Sequence, residues 1–540
     1  RSNNSTQDVN FQYVNAGANL EVLNLTDGVN VNLDFRNDAV TGSSDSVNVL
    51  VTDSDDDNVD AHIVSIDNGI ETINLSTGGA GEVRIGRLIS FGDGEDSSVQ
   101  NTLNITNSTG SNDLFIGDDD GSATDGALGW QAIAGSTSVT GGSGDGIENS
   151  LDGSVDVVNA ANYNGNITLS TEASVDGTAI TLGNGNDVVF AGTGADTING
   201  GAGSDYLWGN LGGDAIDGGE GSDVYLVKAA AEHAGDSFQD SGASGTDEIR
   251  FIANGEDEAT LNLQNGSGIE KATISDYLGN SHGAQALNLN ASAYTANGLT
   301  ITGNDGANVL TGTTLGDVIY DNSGDDVVSA NDGDDLVVLG TGTDSVYGQI
   351  GSDIVAGGAN VTNADVLDGG LGLNGSDQTS PLDYRAHGYY DTPDVAGQGD
   401  TLSLAGAYNV AFDGDFTNFE RLVLNDTTKD GVADASGDGN DYNVTFIDGN
   451  ANEQQVWNGS AWVDDANVDF VVDGNTLNSN QVMTFDGSAE SSAEFSVLGG
   501  AASDALTTGA GDDTIFGGAG NDVVYGFAAE DGIEACGGRV

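Results

Sequence analysis

The sequence predicts an all-β protein built from a parallel β-roll or β-solenoid, in which short strands stack coil upon coil. Three observations carry this prediction: a nine-residue period in three blocks, alternating apolar residues between the blocks, and 84 glycines against 2 prolines in 540 residues. A short fixed period is the signature of repeat folds, and glycine-rich turns suit short strands. We expect little helix, with a helical composition only around residues 228–232.

The period of nine belongs to the pattern Gly-Gly-x-Gly-x-Asp-x-apolar-x. Its glycines permit positive φ, so that six residues can turn tightly and the last three can form a strand. Two repeats then make one coil, and alternate aspartates stack on opposite edges of it. The main departures are Asn210, Leu315 and Ala502 in glycine positions and Asn308 in an aspartate position.

Stacked turns of this kind offer carboxylates and inward carbonyls, and calcium prefers six to eight such oxygen ligands. Without the ion the aspartates repel one another and the glycine-rich turns lose large backbone entropy, so we expect the blocks to fold only with calcium. The sequence therefore predicts several Ca²⁺ ions, held by Asp187, Asp196, Asp205, Asp214, Asp223, Asp317, Asp326, Asp335, Asp344, Asp353, Asp504, Asp513 and Asp522. The register also fits Asp531.

Between the blocks, four segments begin with an apolar residue and a glutamate and continue with apolar residues at alternate positions. The glutamates are Glu21, Glu71, Glu270 and Glu420. Alternation with period two is typical of strands with one buried face. No ligand role is predicted for these glutamates, and their segments are expected either to continue the stack or to form sandwiches. The predicted regions are residues 1–180 (β-rich, solenoid-like), 181–230 (first block), 231–300 (β-rich), 301–370 (second block), 371–495 (β-rich) and 496–540 (third block).

The composition excludes several classes of function. The 86 acidic residues against 11 basic ones leave a net charge of −75, which opposes compaction without bound cations and repels nucleic acids and anionic lipids. No apolar run is long enough to cross a membrane as a helix. The single cysteine allows no internal disulfide, so bound metal must supply rigidity. We therefore expect no nucleic-acid partner and no membrane insertion.

The sequence gives no sign of catalysis. The four histidines, His62, His233, His282 and His387, are scattered, and neither a His-Glu-x-x-His helix nor a Gly-x-Ser-x-Gly turn occurs. We expect a protein that is not an enzyme and binds no organic cofactor. Acidic runs at 53–60, 118–120 and 426–441 are interpreted as solvated loops, with further cation sites as the alternative.

The three blocks resemble the nonapeptide repeats of the RTX (haemolysin-type calcium-binding) family, which is exported by type I secretion from Gram-negative bacteria. The resemblance covers roughly a quarter of the chain. The Glu-centred strands, the acidity and the scarcity of lysine are similar to RTX surface-layer proteins. Because neither a signal peptide nor the C-terminal secretion signal of the family is recognised, we expect the chain to be incomplete at both ends.

The resemblance implies a secreted, extracellular structural protein that self-assembles at the bacterial cell surface, with calcium driving folding and bridging protomers. Its expected partners are copies of itself in a lattice or filament, with cell-surface polysaccharide as a further candidate. Two alternatives remain open: an RTX adhesin or biofilm matrix protein, and the C-terminal part of an RTX enzyme or toxin.

Overall fold

The computed structural model describes residues 9–14, 19–25, 31–35, 46–52, 61–66, 70–78, 83–89, 101–107, 113–116, 151, 155–172, 174–252, 259–264, 266–362, 364–370, 400–405, 408–412, 416–417, 419, 421–425, 442–446, 455–457, 462–464, 470–491, 493–527 and 531–534. The three acidic runs, His387 and Glu420 lie outside the described residues. The side chains of Glu21 and His62 are outside that description as well.

The chain divides into two compact units, Arg1–Asn280 and Ser281–Val540. Every regular element in the described residues is a β-strand, which confirms the predicted fold class. The helical expectation for residues 228–232 is wrong, because this segment forms turns. Glu232 closes the turn: its Oε2 accepts the Lys228 backbone N–H at 2.9 Å and the Trp208 Nε1–H at 3.0 Å.

In the first unit, successive strands alternate between two parallel sheets. One sheet contains β1 (Val9–Val14), β3 (Val31–Phe35), β5 (Ala61–Ile66), β7 (Val83–Ile89), β9 (Leu114–Ile116), β11 (Ile167–Ser170), β13 (Val188–Phe190), β15 (Tyr206–Trp208), β17 (Val224–Val227), β19 (Glu248–Ile252) and β21 (Lys271–Ser275). The other contains β2 (Asn19–Leu25), β4 (Ser46–Thr52), β6 (Thr72–Gly78), β8 (Thr102–Asn107), β10 (Val157–Asn159), β12 (Ala179–Thr181), β14 (Thr197–Ala202), β16 (Ala215–Glu220) and β18 (Ser237–Gln239). A short strand, β20 (Thr260–Asn262), also lies in this unit.

The second unit repeats this arrangement with three parallel sheets. The longest contains β23 (Thr300–Thr302), β25 (Val318–Tyr320), β27 (Leu336–Val338), β29 (Ile354–Gly358), β31 (Thr401–Ala405), β34 (Arg421–Asn425), β38 (Phe470–Asp473), β40 (Phe495–Leu498), β42 (Thr514–Phe516) and β44 (Gly532–Glu534). Facing strands are β22 (Asn288–Asn290), β24 (Val309–Thr311), β26 (Val327–Ser329), β28 (Ser345–Tyr347), β30 (Val366–Asp368) and β33 (Phe416–Thr417), then β32 (Tyr408–Phe412), β35 (Tyr442–Phe446), β39 (Met483–Asp486), β41 (Ala505–Thr507) and β43 (Val523–Tyr525). An antiparallel hairpin joins β36 (Gln455–Trp457) to β37 (Trp462–Asp464).

Most short strands place their middle residue in the core, and β13 and β15 bury all three of their residues. Within the blocks, each strand pairs with the strand one coil, or two repeats, further along the chain. Val189 therefore pairs with Leu207, and Ile319 pairs with Val337. These four side chains are fully buried. The segments between the blocks continue the stack in the described residues, as where β34 pairs in parallel with both β31 and β38. Of the two architectures expected for these segments, the structure therefore has the solenoid.

Candidate calcium sites

The predicted aspartates form hydrogen-bonded columns along the edges of the sheets. The Asp187 backbone N–H donates to Oδ1 of Asp205 at 2.8 Å, and the Asp205 N–H donates to Oδ1 of Asp223 at 2.7 Å. A separate column begins with the Asp196 N–H, which donates to Oδ1 of Asp214 at 2.8 Å. Alternate aspartates therefore stack in two columns, as the period predicts.

The same contact recurs in the other two blocks, with N···O distances between 2.7 and 3.3 Å. Each donor belongs to one coil and each acceptor to the coil after it. The pairs are Asn308 to Asp326, Asp317 to Asp335, Asp326 to Asp344, Asp335 to Asp353, Asp504 to Asp522 and Asp513 to Asp531. Asn308 thus keeps the column position as a donor, although it lacks the carboxylate.

The second oxygen of most column carboxylates has no hydrogen-bond partner among the described residues. All thirteen predicted ligands are at most 2% exposed, so water does not reach these atoms freely. A buried acceptor without a partner is costly, and a missing ligand is one of its ordinary explanations. The Oδ2 atoms concerned belong to Asp187, Asp196, Asp205, Asp214, Asp223, Asp326, Asp335, Asp353, Asp513 and Asp522.

Burial makes the charged form of these carboxyls unfavourable. It raises the pKa of Asp205 to about 8 and that of Asp187 to about 7, with the neighbouring aspartates of the column adding to the shift at Asp205. In the second block the pKa of Asp335 rises to about 8 for the same reason, desolvation first and the charge of Asp353 after it. A carboxylate with such a pKa needs a proton or a cation beside it at neutral pH.

Turn carbonyls of one coil lie close to the turn glycines of the next, because these glycines have no side chain. A Cβ on Gly203 (φ 129°) would lie 1.8 Å from the carbonyl oxygen of Gly185 in the preceding coil. A second turn position, four residues before the column aspartate, also has positive φ in several repeats. In four of them this position is occupied by a residue other than glycine: Asn210 (φ 68°), Asn322 (71°), Asn331 (78°) and Gln349 (75°). Asparagine tolerates this region better than most residues, which explains how Asn210 replaces glycine.

These groups together fit calcium. The donors are carboxylate oxygens without partners and carbonyl oxygens of closely stacked turns, and hard oxygen donors are the ligands calcium prefers. The columns hold neither thiolate nor imidazole, which favour softer metals. The column aspartates and the turn carbonyls between successive coils would hold the ions, which would neutralise charges that burial otherwise opposes.

The columns extend beyond the nonapeptides, which the sequence analysis missed. The Asp214 N–H donates to Asp236 Oδ1 at 2.9 Å, and the Asp223 N–H donates to Asp247 Oδ1 at 2.8 Å. The Asp247 N–H in turn donates to Glu270 Oε2 at 2.9 Å, although no role was predicted for this glutamate. In the second block the column acceptors continue with Asp365 and Asp400.

A signal for these residues is present in the sequence. Each keeps the triplet of an acid, any residue and an apolar residue that ends the repeat, as in Asp236-Ser237-Phe238 and Asp365-Val366-Leu367. These triplets lack the constant nine-residue spacing of the repeats. A search for this triplet directly before each strand would have found them.

Among the residues that the structure describes, two clusters of three carboxylates lie beside a column. One is Asp321, Asp326 and Asp344, and the other is Asp223, Asp240 and Asp247. In each cluster one carboxylate oxygen per residue lies within 4.8 Å of the others. Carboxylates this close repel one another unless a cation or a proton neutralises them.

Comparison with known proteins agrees with this geometry. A family model for four copies of the RTX calcium-binding nonapeptide repeat matches residues 181–216, 190–225, 302–337, 311–346, 329–360 and 498–526. The blocks are RTX calcium-binding repeats. No curated protein matches the chain.

The RTX repeats bind Ca²⁺ at multiple sites, and the acidic clusters described above fit this binding. The chain is therefore a calcium-binding protein of the kind that is generally secreted. In the part of the chain that the structure describes, no helix has the length and apolarity needed to cross a membrane.

Proposed function

We propose that this RTX protein is a structural component of the bacterial cell surface, not an enzyme, and that it assembles with copies of itself into a calcium-dependent surface layer. Calcium would act twice, first by folding each protomer through its columns and then by bridging the acidic faces of neighbours. A net charge of −75 requires such bridging, because protomers of this charge repel one another.

The observation that carries the proposal is the distribution of exposed apolar side chains. Ten of the thirteen large apolar side chains that are exposed among the described residues lie in the second unit. Tyr525 is 61% exposed, Phe527 is 51% exposed and Val523 is 48% exposed, all in the third block. Val523 and Tyr525 lie two residues apart on β43, so they share one face of the strand, and exposed apolar groups that lie together are typical of protein contact sites.

The test is a calcium titration of the chain purified in chelator. Far-UV circular dichroism follows folding, and negative-stain electron microscopy follows assembly in the same samples. We expect β-structure and ordered sheets to appear together near millimolar calcium, the range of extracellular calcium modules.

Matched variants separate folding from assembly. Tyr525→Ser removes an apolar group from the third block, and we expect it to fold with the wild-type calcium midpoint while forming fewer sheets. Val175→Thr changes a side chain that is 74% exposed in the first unit, and we expect it to assemble normally.

Other outcomes identify the alternatives. A chain that folds with calcium but stays monomeric at high concentration contradicts the surface-layer proposal. An adhesin, or the repeat region of a larger secreted enzyme or toxin, then becomes the better account. Filaments instead of sheets would favour a matrix protein.

A further inference from the structure

We propose that Asp223, Asp240 and Asp247 form a calcium site that closes the first block with two ligands from outside the nonapeptide repeats. Only Asp223 belongs to a repeat. Asp240 follows β18 and Asp247 directly precedes β19, and neither strand is part of a nonapeptide. The site would extend calcium binding into the coil that follows the block.

The carboxylates are placed as ligands of one ion. One oxygen from each residue lies within 4.8 Å of the other two. Asp223 is fully buried and Asp247 is 2% exposed. A separate observation also points to a ligand, because Oδ2 of Asp223 is buried and has no hydrogen-bond partner among the described residues.

The backbone holds Asp247 in the column. The Asp223 N–H donates to its Oδ1 at 2.8 Å, across a coil of 24 residues instead of the usual 18. This coil keeps the usual two strands, β17 and β18, and the turn after β18 supplies Asp240. Asp247 thus repeats the position of a nonapeptide aspartate while its coil contributes an additional carboxylate.

Asp240 is fixed by the turn after β18. Its backbone N–H donates to the Ser267 carbonyl at 2.7 Å, and its Oδ1 accepts the Gly242 N–H at 3.1 Å. Gly268 (φ 79°) packs against it, and a Cβ there would lie 2.7 Å from the Asp240 carbonyl oxygen. The remaining carboxylate oxygen is therefore held near the column.

Two basic side chains near this coil, Arg250 and Lys228, are engaged elsewhere. Arg250 pairs with Glu248 at 2.6 Å, and Lys228 Nζ lies 3.2 Å from the centroid of the Trp208 ring. Three carboxylates at this spacing repel one another strongly, and a hard divalent cation neutralises them with the oxygen ligands it prefers. Calcium, which the adjoining repeats already bind, fits this donor set.

A tyrosine connects the site to the core. Tyr225 occupies the apolar position of the last repeat, where it accepts the Gly218 N–H at 2.9 Å and donates to the Gln239 carbonyl at 2.5 Å. Gln239 is the residue before Asp240. An ion at the site would therefore tie the last repeat to β18 and β19, and calcium would control the order of these two strands.

The test compares the full-length chain with Asp240→Asn by hydrogen–deuterium exchange at increasing calcium. We expect the peptides that cover β18 and β19 to need about tenfold more calcium for protection in the variant, because the site loses a charged ligand. Peptides covering β26 and β28 in the second block serve as the internal folding control and should keep their midpoint. Asp176→Asn, which changes an exposed carboxylate, should match the wild type throughout.

A second measurement keeps the proposal testable if the variant misfolds. Crystals of the wild-type chain grown with calcium should show anomalous density within about 2.6 Å of carboxylate oxygens from both Asp240 and Asp247. Wild-type midpoints for β18 and β19 in Asp240→Asn, or density that contacts Asp223 alone, would overturn the proposal.

Discussion

The two oxygens of a column aspartate have different partners. In Asp205, Oδ1 accepts the Asp187 N–H at 2.8 Å and so joins one coil to the next, while Oδ2 is buried and has no hydrogen-bond partner in the part of the chain that the structure describes. The first contact needs only an oxygen, which asparagine also supplies. The second position must be an oxygen if it is to bind calcium, and in asparagine it is an amide NH2 group, which is not a ligand.

Asp205→Asn should therefore change stability in opposite directions with and without calcium. Burial raises the pKa of Asp205 from 3.8 to about 8, which corresponds to a cost on the order of 5 kcal/mol for the buried charge. Removing the charge should stabilise the calcium-free fold and raise the calcium concentration at the folding midpoint. Circular dichroism in chelator and during calcium titration measures both effects.

Asp176→Asn is the matched control, since Asp176 is exposed and lies outside the columns. It should leave both measurements unchanged. If Asp205→Asn weakens the fold equally in the presence and absence of calcium, then the role of the residue is purely structural.

At single residues, the sequence located the column aspartates wherever the spacing was constant and missed the column residues elsewhere. From Asp205 to Asp223 the column advances by 18 residues, but from Asp353 to Asp400 it advances by 47. The solenoid requires register only at the strand and at the residue before it, so a coil can carry a long insertion. Spacing alone therefore could not find Asp400.

Glycine is required in the turns between strands, but some turn glycines leave room for a side chain and others do not. A Cβ on Gly203 would lie 1.8 Å from the Gly185 carbonyl oxygen, whereas a Cβ on Gly213 would have no neighbour closer than 3.6 Å. Gly203 also has φ 129°, a conformation that side chains resist. Two glycines of the same block thus differ in what they allow.

We expect Gly203→Ala to lower the free energy of unfolding in saturating calcium by about 2 kcal/mol or more, because strain and the backbone overlap add. Gly213→Ala should change it by less than about 0.5 kcal/mol. Denaturant unfolding followed by circular dichroism measures both variants. Equal effects would show that stacked carbonyls do not restrict the turns.

Between the second and third blocks, four phenylalanine rings pack together in the core. Phe446 is 1% exposed, and its ring centroid lies 4.8 Å from Phe470, 5.6 Å from Phe485 and 5.5 Å from Phe495. The alternating pattern predicted buried strands here, but it could not predict that their rings meet, since that depends on which strands share a coil.

Phe446→Ala should lower stability by about 3 to 5 kcal/mol at any calcium concentration that permits folding. The loss should appear as faster hydrogen exchange in β35, β38 and β40, with the second block protected as before. Phe527→Ala removes a ring that is 51% exposed, and it should have little effect on exchange. A loss that disappears at high calcium would show that the cluster depends on the columns.

In the whole molecule, the column carboxylates couple folding to both calcium binding and protonation. Burial raises the pKa of Asp187 to about 7, of Asp196 to about 6 and of Asp205 and Asp335 to about 8, compared with roughly 3.9 in an unfolded chain. The calcium-free folded state therefore binds more protons than the unfolded state between about pH 4 and 8. Protons and calcium are two ways of neutralising the same buried charges.

The sign of the pH dependence follows. Without calcium, these four aspartates contribute stability that is fully present below the unfolded pKa and is lost as the pH rises from about 4 through the folded pKa values of about 6 to 8. With calcium, the ion needs ionised carboxylates, so acid competes with binding and the dependence reverses. We expect the calcium-free chain to gain β-structure as the pH falls from 8 to 5, and the calcium midpoint to rise over the same interval.

Circular dichroism in resin-treated, calcium-free buffer at constant ionic strength measures the first effect, and calcium titrations at each pH measure the second. Asp205→Asn should reduce the calcium-free pH dependence, because it removes one of the groups that titrate. A calcium-free chain that stays equally unfolded at pH 5 and pH 8 would contradict this account. The columns would then need calcium as a ligand that organises the turns, and neutralisation of charge alone would not fold them.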